Sequence, residues 1–279
     1  MAWYNFIWCN IVLVIFMKHE SGFTLVELSI VIVLIGLIVA GVVGGQALVQ
    51  QAKLRGVLTE VEQFDVAFNT FKLEYGEPPG DLSNASSYWT GAPNGNGNGR
   101  VRTVSNSGNG HDGEYVYVWH HLGSLGSKLL PGPYDASPFT ASLPKNQRDQ
   151  SLPFSKIGHH WGVYNRTRWK GHQYVLGASD SGWGYYGVAP SLSPRLTLSL
   201  DNKIDDGKPA TGTIIVEGRS GAFNTLHWSG ALPHNPTYSQ TPTAGNCTAN
   251  GAASYDTTAE YNAGFNNVSC IPVFRYKMH

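Results

Sequence analysis

GFTLVELSIVIVLIGLIVAGVV, residues 22–43, is an apolar stretch that carries a single charge, Glu27. From Phe23 to Val43 it has the length of the roughly 20 residues a helix needs to cross a bilayer. Leu28 to Val43 contains no charge at all. A carboxylate near the centre of such a helix costs about 2.5 to 3.5 kcal/mol on insertion scales, and less towards an end. A plain anchor gains nothing from Glu27, so the carboxylate calls for a partner.

This stretch resembles the cleavage and methylation motif of prepilins, in which a Gly is followed by Phe-Thr-Leu-Val-Glu and an apolar helix. The resemblance implies cleavage between Gly22 and Phe23 by a prepilin peptidase on the cytoplasmic side, and N-methylation of the new terminus at Phe23. It also implies that Glu27 pairs with the N-terminal amine of a neighbouring subunit while the apolar helices bundle into a filament core. The physical logic agrees: two buried opposite charges satisfy each other across the contact, and a misplaced subunit leaves one unpaired.

On the N-terminal side, Met17-Lys18-His19-Glu20-Ser21-Gly22 reads as a complete short, polar leader of the kind this family carries. Residues 1–16 are then an upstream start; the alternative is a second, short membrane segment containing Trp3, Trp8 and Asn10. A secretory signal peptide is the other reading of Lys18 and the apolar run. The run is long for that, and GGQALVQQAKL after it offers only a weak small-residue cleavage pattern.

On the C-terminal side the helical pattern continues. Leu54, Val57, Val61, Phe64, Phe68, Phe71 and Tyr75 recur every three or four residues and form one apolar stripe, which Gly76, Pro78 and Pro79 end. Gly36, Gly41, Gly44, Gly45 and Gly56 weaken the run locally but no proline interrupts residues 23–75, so a single continuous helix is expected. Short apolar runs bounded by turn residues predict strands at Tyr115–Trp119, Gln173–Leu176, Thr213–Glu217 and Ile271–Tyr276. Short helices are expected over His120–Leu130 and Ser191–Asp201. The expected fold is α+β and pilin-like, a long N-terminal helix packed on an antiparallel sheet. Its parts are a leader (1–22), a membrane or filament-core helix (23–45), its amphipathic continuation (46–76) and a globular head (77–279). YGEPPGDLSN and SLDNKIDDGKPATGTIIV also resemble stretches of large-headed prepilins.

Charge and cysteine usage narrow the partners. Lys plus Arg and Asp plus Glu are 19 each, so no global charge favours nucleic acid. Only 14% of residues are charged, while Gly and aromatic residues abound, which suits a loop-rich head outside the cytosol. Of the three cysteines, Cys247 and Cys270 are expected to pair once the export motif is counted, worth about 3 kcal/mol on the chain-entropy model. The alternative is two buried thiols.

Four features of the head are candidate chemistry. Asp201, Asp205 and Asp206 crowd carboxylates before Gly207 and could ligate calcium, although the spacing is not an EF-hand and Lys203 intervenes; otherwise they stabilise a turn. Asn94-Gly95-Asn96-Gly97-Asn98-Gly99 offers only neutral amides and reads as a tight, mobile loop. Residues 159–173 interleave Trp161, Tyr164 and Trp169 with Arg166, Arg168 and Lys170. If extended, that strip could stack on bases or sugar rings and contact phosphates; a solvated strand is the bland alternative. The pairs His120-His121 and His159-His160 lack a recognisable ligand set. No nucleophile-elbow, zinc-protease, P-loop or dinucleotide fingerprint is present.

The combined expectation is a minor pilin or pseudopilin, not an enzyme and without a cofactor. It is single-pass in the inner membrane with a periplasmic head, then part of a periplasmic or cell-surface filament. Its partners are other subunits, the prepilin peptidase, the inner membrane and the assembly platform. The rivals are a filament-tip adhesin or DNA- or glycan-binding module, and a membrane-anchored exported enzyme.

Overall fold

Helix α1, Leu25–Tyr75, runs for 51 residues. A computed structural model of the chain describes residues 23–101, 113–134, 151–166, 171–177, 190–218, 247–249 and 257–275. The chain forms two units, Met1–Ala52 and Lys53–His279. In the first unit every side chain from Phe23 to Gly44 is exposed. Leu25 exposes 87% of its surface, far more than an apolar side chain of a water-soluble core helix. Among the described residues α1 is the one helix long and apolar enough to cross a membrane.

In the second unit the helix has one buried side. Leu54, Val57, Val61, Phe64, Ala67, Phe68 and Phe71 are buried, the stripe expected from their spacing, with Tyr75 half-buried at its end. Gly76 stops the helix in the left-handed region at φ +80°, where a side chain would be strained, and its amide donates to the Lys72 carbonyl (2.9 Å).

The stripe packs within a core shared with a four-stranded antiparallel sheet. Strands β1 (His160–Arg166), β2 (Gly171–Gly177), β3 (Ile214–Gly218) and β4 (Cys270–Arg275) lie in the order β1-β2-β4-β3. Trp161 faces Leu176 across the β1–β2 pair, Tyr174 faces Phe274 across β2–β4, and Ile214 faces Phe274 across β3–β4. Phe64 is the hub. Its ring lies 5.0 Å from Trp119, 5.4 Å from Trp161 and 5.6 Å from Tyr174. Edge and tilted geometries at these distances add to plain area burial.

Two local expectations need correction. Tyr115–Trp119 is not a strand: it lies within helix α3, Glu114–Leu122, which follows the four-residue α2, Ala85–Tyr88. Five apolar residues in a row carry no period of their own. Over the longer window the apolar Tyr115, Val116, Val118, Trp119 and Leu122 stand at helical spacing, in an element buried on nearly all sides and bounded by Gly113 and Gly123. His120–Leu130 accordingly holds only the last turn of α3, followed by hydrogen-bonded turns. The helix expected from Ser191 begins at Pro194, where proline suits the first turn, and α4 continues to Ile204. Cys247 and Cys270 form a disulfide (Cα–Cα 5.1 Å), buried beside Val216 and Tyr261.

Candidate functional site

At the N-terminus the spacing Thr24-x-x-Glu27 builds a capping box. The Thr24 amide and hydroxyl donate to Glu27 Oε2 (2.8 and 2.9 Å), and the Glu27 amide donates back to Thr24 Oγ1 (3.2 Å). The motif was legible from T-x-x-E, yet the reading of Glu27 as an assembly charge hid it. Both bonds to the carboxylate fall on Oε2. Phe23 is 89% exposed beside it; Gly22 and residues 1–16 lie outside the described residues.

Three carboxylates gather at the C-terminal end of α4 and in the turn that follows it. Asp201, Asp205 and Asp206 each place a carboxylate oxygen within 4.8 Å of the others'. Each also has protein donors. Asp201 is buried and accepts from the Tyr261 hydroxyl (2.7 Å) and the Gly207 amide (3.3 Å). Asp205 accepts from the Thr213 and Ile214 amides, and Asp206 from the Lys208 amide and the Thr211 hydroxyl. Burial pushes the Asp201 carboxyl up to about 7 against the pull of the Tyr261 hydrogen bond, and Asp205 nearby adds to the rise. Burial and the neighbouring Asp201 likewise push the Tyr261 phenol up, so the hydroxyl stays a donor.

The aromatic and basic strip lies only partly within the described residues. Its strands end at Arg166 and resume at Gly171 as a paired hairpin, and Arg168, Lys170 and Trp169 lie outside the described residues, as does the Arg166 side chain. Trp161 is corrected from ligand platform to core: it is fully buried, 5.4 Å from Phe274, and its indole N–H donates to Glu60 Oε2 (2.9 Å). Glu60 Oε1 also accepts the Lys156 amide (3.1 Å), so one carboxylate of α1 holds the chain before β1 and β1 itself.

Sequence reasoning passed over a polar network that fastens residues 77–101. His121 is fully buried; Nδ1 accepts the Gly80 amide (2.8 Å), so Nε2 carries the proton and bonds the Pro93 carbonyl (2.9 Å). His172 Nε2 accepts the Val101 amide (3.1 Å), while its ring lies 5.0 Å from Phe68. Burial pulls both imidazoles down to about 4, keeping them neutral. Asp81, fully buried, accepts the Asn98 and Gly99 amides, and Glu114 accepts that of Asn96. Residues 94–99 are thus fastened by hydrogen bonds rather than left as an unattached turn. These partners sit far apart in sequence, and nothing local announces them.

Residues 17–43 match the family model described as the prokaryotic N-terminal methylation motif. No curated protein and no solved structure matches the chain. The matched segment covers Gly22, Phe23 and Glu27 and the start of α1.

Proposed function

Starting from a chain that carries the prepilin-type methylation motif, we propose that it is a structural filament subunit, a minor pilin or pseudopilin of a type IV pilus or type II secretion-like filament. One observation carries the proposal. The matched motif leads into a helix whose side chains from Phe23 to Gly44 are all exposed and almost all apolar, with Glu27 as their only charge. Such a surface is stable only in lipid or against other apolar helices.

In this reading a peptidase cuts between Gly22 and Phe23 and the new amine is methylated. The head enters the periplasm while the helix stays in the inner membrane. On the assembly platform Glu27 then meets the N-terminal amine of a neighbouring subunit. The Thr24 bonds use Oε2, which leaves Oε1 for that amine. A large head with long connections favours a minor position over a bulk one. Prepilin-motif proteins are structural subunits, and the proposed role needs no catalysis.

Peptide mass spectrometry of the N-terminus, on protein from its native host, tests this. A chain beginning at N-methylated Phe23 is expected; one that keeps residues 1–22, or that starts near residue 52, would overturn it.

The proposal includes no cofactor. The acids of the turn are supported by their own donors, and thermal unfolding with calcium or a chelator is the check. An unmoved midpoint is expected, and a rise on adding calcium would assign a cation to Asp201, Asp205 and Asp206.

A further inference from the structure

Asn94-Gly95, Asn96-Gly97 and Asn98-Gly99 stand in succession on the surface, with all three asparagine side chains exposed. An asparagine followed by glycine is the sequence most prone to deamidation. The glycine nitrogen loses its proton to water and attacks the asparagine Cγ; a C–N bond forms, the side-chain nitrogen leaves as ammonia, and a cyclic imide results. Water then opens the imide to aspartate or isoaspartate, so the net change is amide plus water to acid plus ammonia. Glycine promotes the attack because no side chain hinders its nitrogen.

Here the glycines are fixed by the backbone. A Cβ at Gly95 would lie 2.3 Å from the Asp81 Cα, and Gly97 and Gly99 have φ of +69° and +79°. The lability is therefore built into the loop, unless the attacking nitrogens are held.

All three are held. The Gly95 amide donates to the Leu82 carbonyl (2.8 Å), that of Gly97 to the Asp81 carbonyl (3.0 Å), and that of Gly99 to Asp81 Oδ2 (2.6 Å). A nitrogen whose N–H is engaged must break that bond before it can ionise and turn towards Cγ. At Gly99 the acceptor is a carboxylate, and its charge further opposes an anionic nitrogen beside it. The side chains are pinned through their oxygens, which limits their turning towards the glycine nitrogen although it also polarises Cγ: Asn94 Oδ1 accepts the Ser86 amide, Asn96 Oδ1 the Asn98 amide, and Asn98 Oδ1 the Arg100 amide. We infer that the fold protects these three Asn–Gly bonds from deamidation, and that the buried Asp81 carboxylate is the residue that protects Asn98.

The test is peptide mass spectrometry on the detergent-solubilised full chain, aged in mildly alkaline buffer either folded or in urea. In the folded chain each of the three asparagines is expected to convert at least about tenfold more slowly, because reaction then needs local opening. Equal rates folded and unfolded would overturn the inference.

Asp81→Asn separates the carboxylate from the loop as a whole. Loss of a charge-assisted acceptor should raise conversion at Asn98 about tenfold relative to Asn94, whose glycine bonds a backbone carbonyl. Slower conversion at Asn98 would mean that Asp81 acts as a base and promotes attack, and would overturn the assignment. If circular dichroism shows that the variant has lost its fold, the wild-type comparison decides alone.

Discussion

The two halves of α1 use the same kinds of residue to opposite ends. From Leu25 to Gly44 apolar side chains point in every direction and all are exposed; from Leu54 to Phe71 most keep to one buried stripe, with Val66 exposed outside it. Hydrophobicity alone does not separate the halves. What separates them is distribution around the axis, because an all-round apolar surface calls for lipid or several apolar neighbours, whereas a stripe is covered by one face of a sheet.

This contrast is easiest to break at Glu27. Glu27→Ala is expected to abolish filament assembly while leaving the urea midpoint of the head unmoved. Piliation or secretion assays beside tryptophan fluorescence check both halves of that statement, and normal assembly would remove Glu27 from its proposed role. In the second half the effect reverses. Phe64→Ala empties the contact with Trp119, Trp161 and Tyr174, and should cost about 3–5 kcal/mol in urea unfolding of the full chain.

Acid sharpens the contrast further. His121 and His172 have folded-state values lowered to about 4, so their stabilisation is whole above the ordinary value of 6.5 and fades as pH falls towards 4. Each can withdraw up to about 3 kcal/mol over that window. Asp201 runs the other way: raised to about 7, it favours the fold most below 3.8 and loses that contribution as pH climbs through 7. Two histidines outweigh one aspartate, so the urea midpoint should fall on acidification. Replacing both histidines with glutamine, which can still accept the Gly80 and Val101 amides, should flatten that slope.

The smallest effect is expected at Glu60→Ala, about 1–3 kcal/mol, mostly from the Trp161 indole left buried without its acceptor. A change well outside that range would place the support of β1 elsewhere.

The stripe and the membrane-length run were legible because each is a period or a length carried by neighbouring residues. The motif around Glu27 was legible for the same reason. Tyr115–Trp119 was misread because a solid apolar run has no period; only Leu122, further on, settles the matter. Trp161 looked available because it stands among arginines, and its burial depends on Phe64, about a hundred residues earlier. Strand order and the histidine and Asp81 bonds were illegible on similar grounds: Gly80 meets His121 at a separation of 41 residues, and Val101 meets His172 at 71.

Strand β4 is the last of the described strands to emerge in synthesis, yet it lies between β2 and β3. As the chain folds, the β1–β2 hairpin can close early, while β3 waits beside an empty lane until Cys270–Arg275 arrives and supplies both missing ladders. Completion of the sheet and closure of the disulfide then both wait for the same segment, which begins at Cys270. A chain stalled before that point would present two unpaired edges to its surroundings, a state that chaperones and proteases recognise. The topology thereby makes one late segment the condition for both a closed sheet and a closed disulfide.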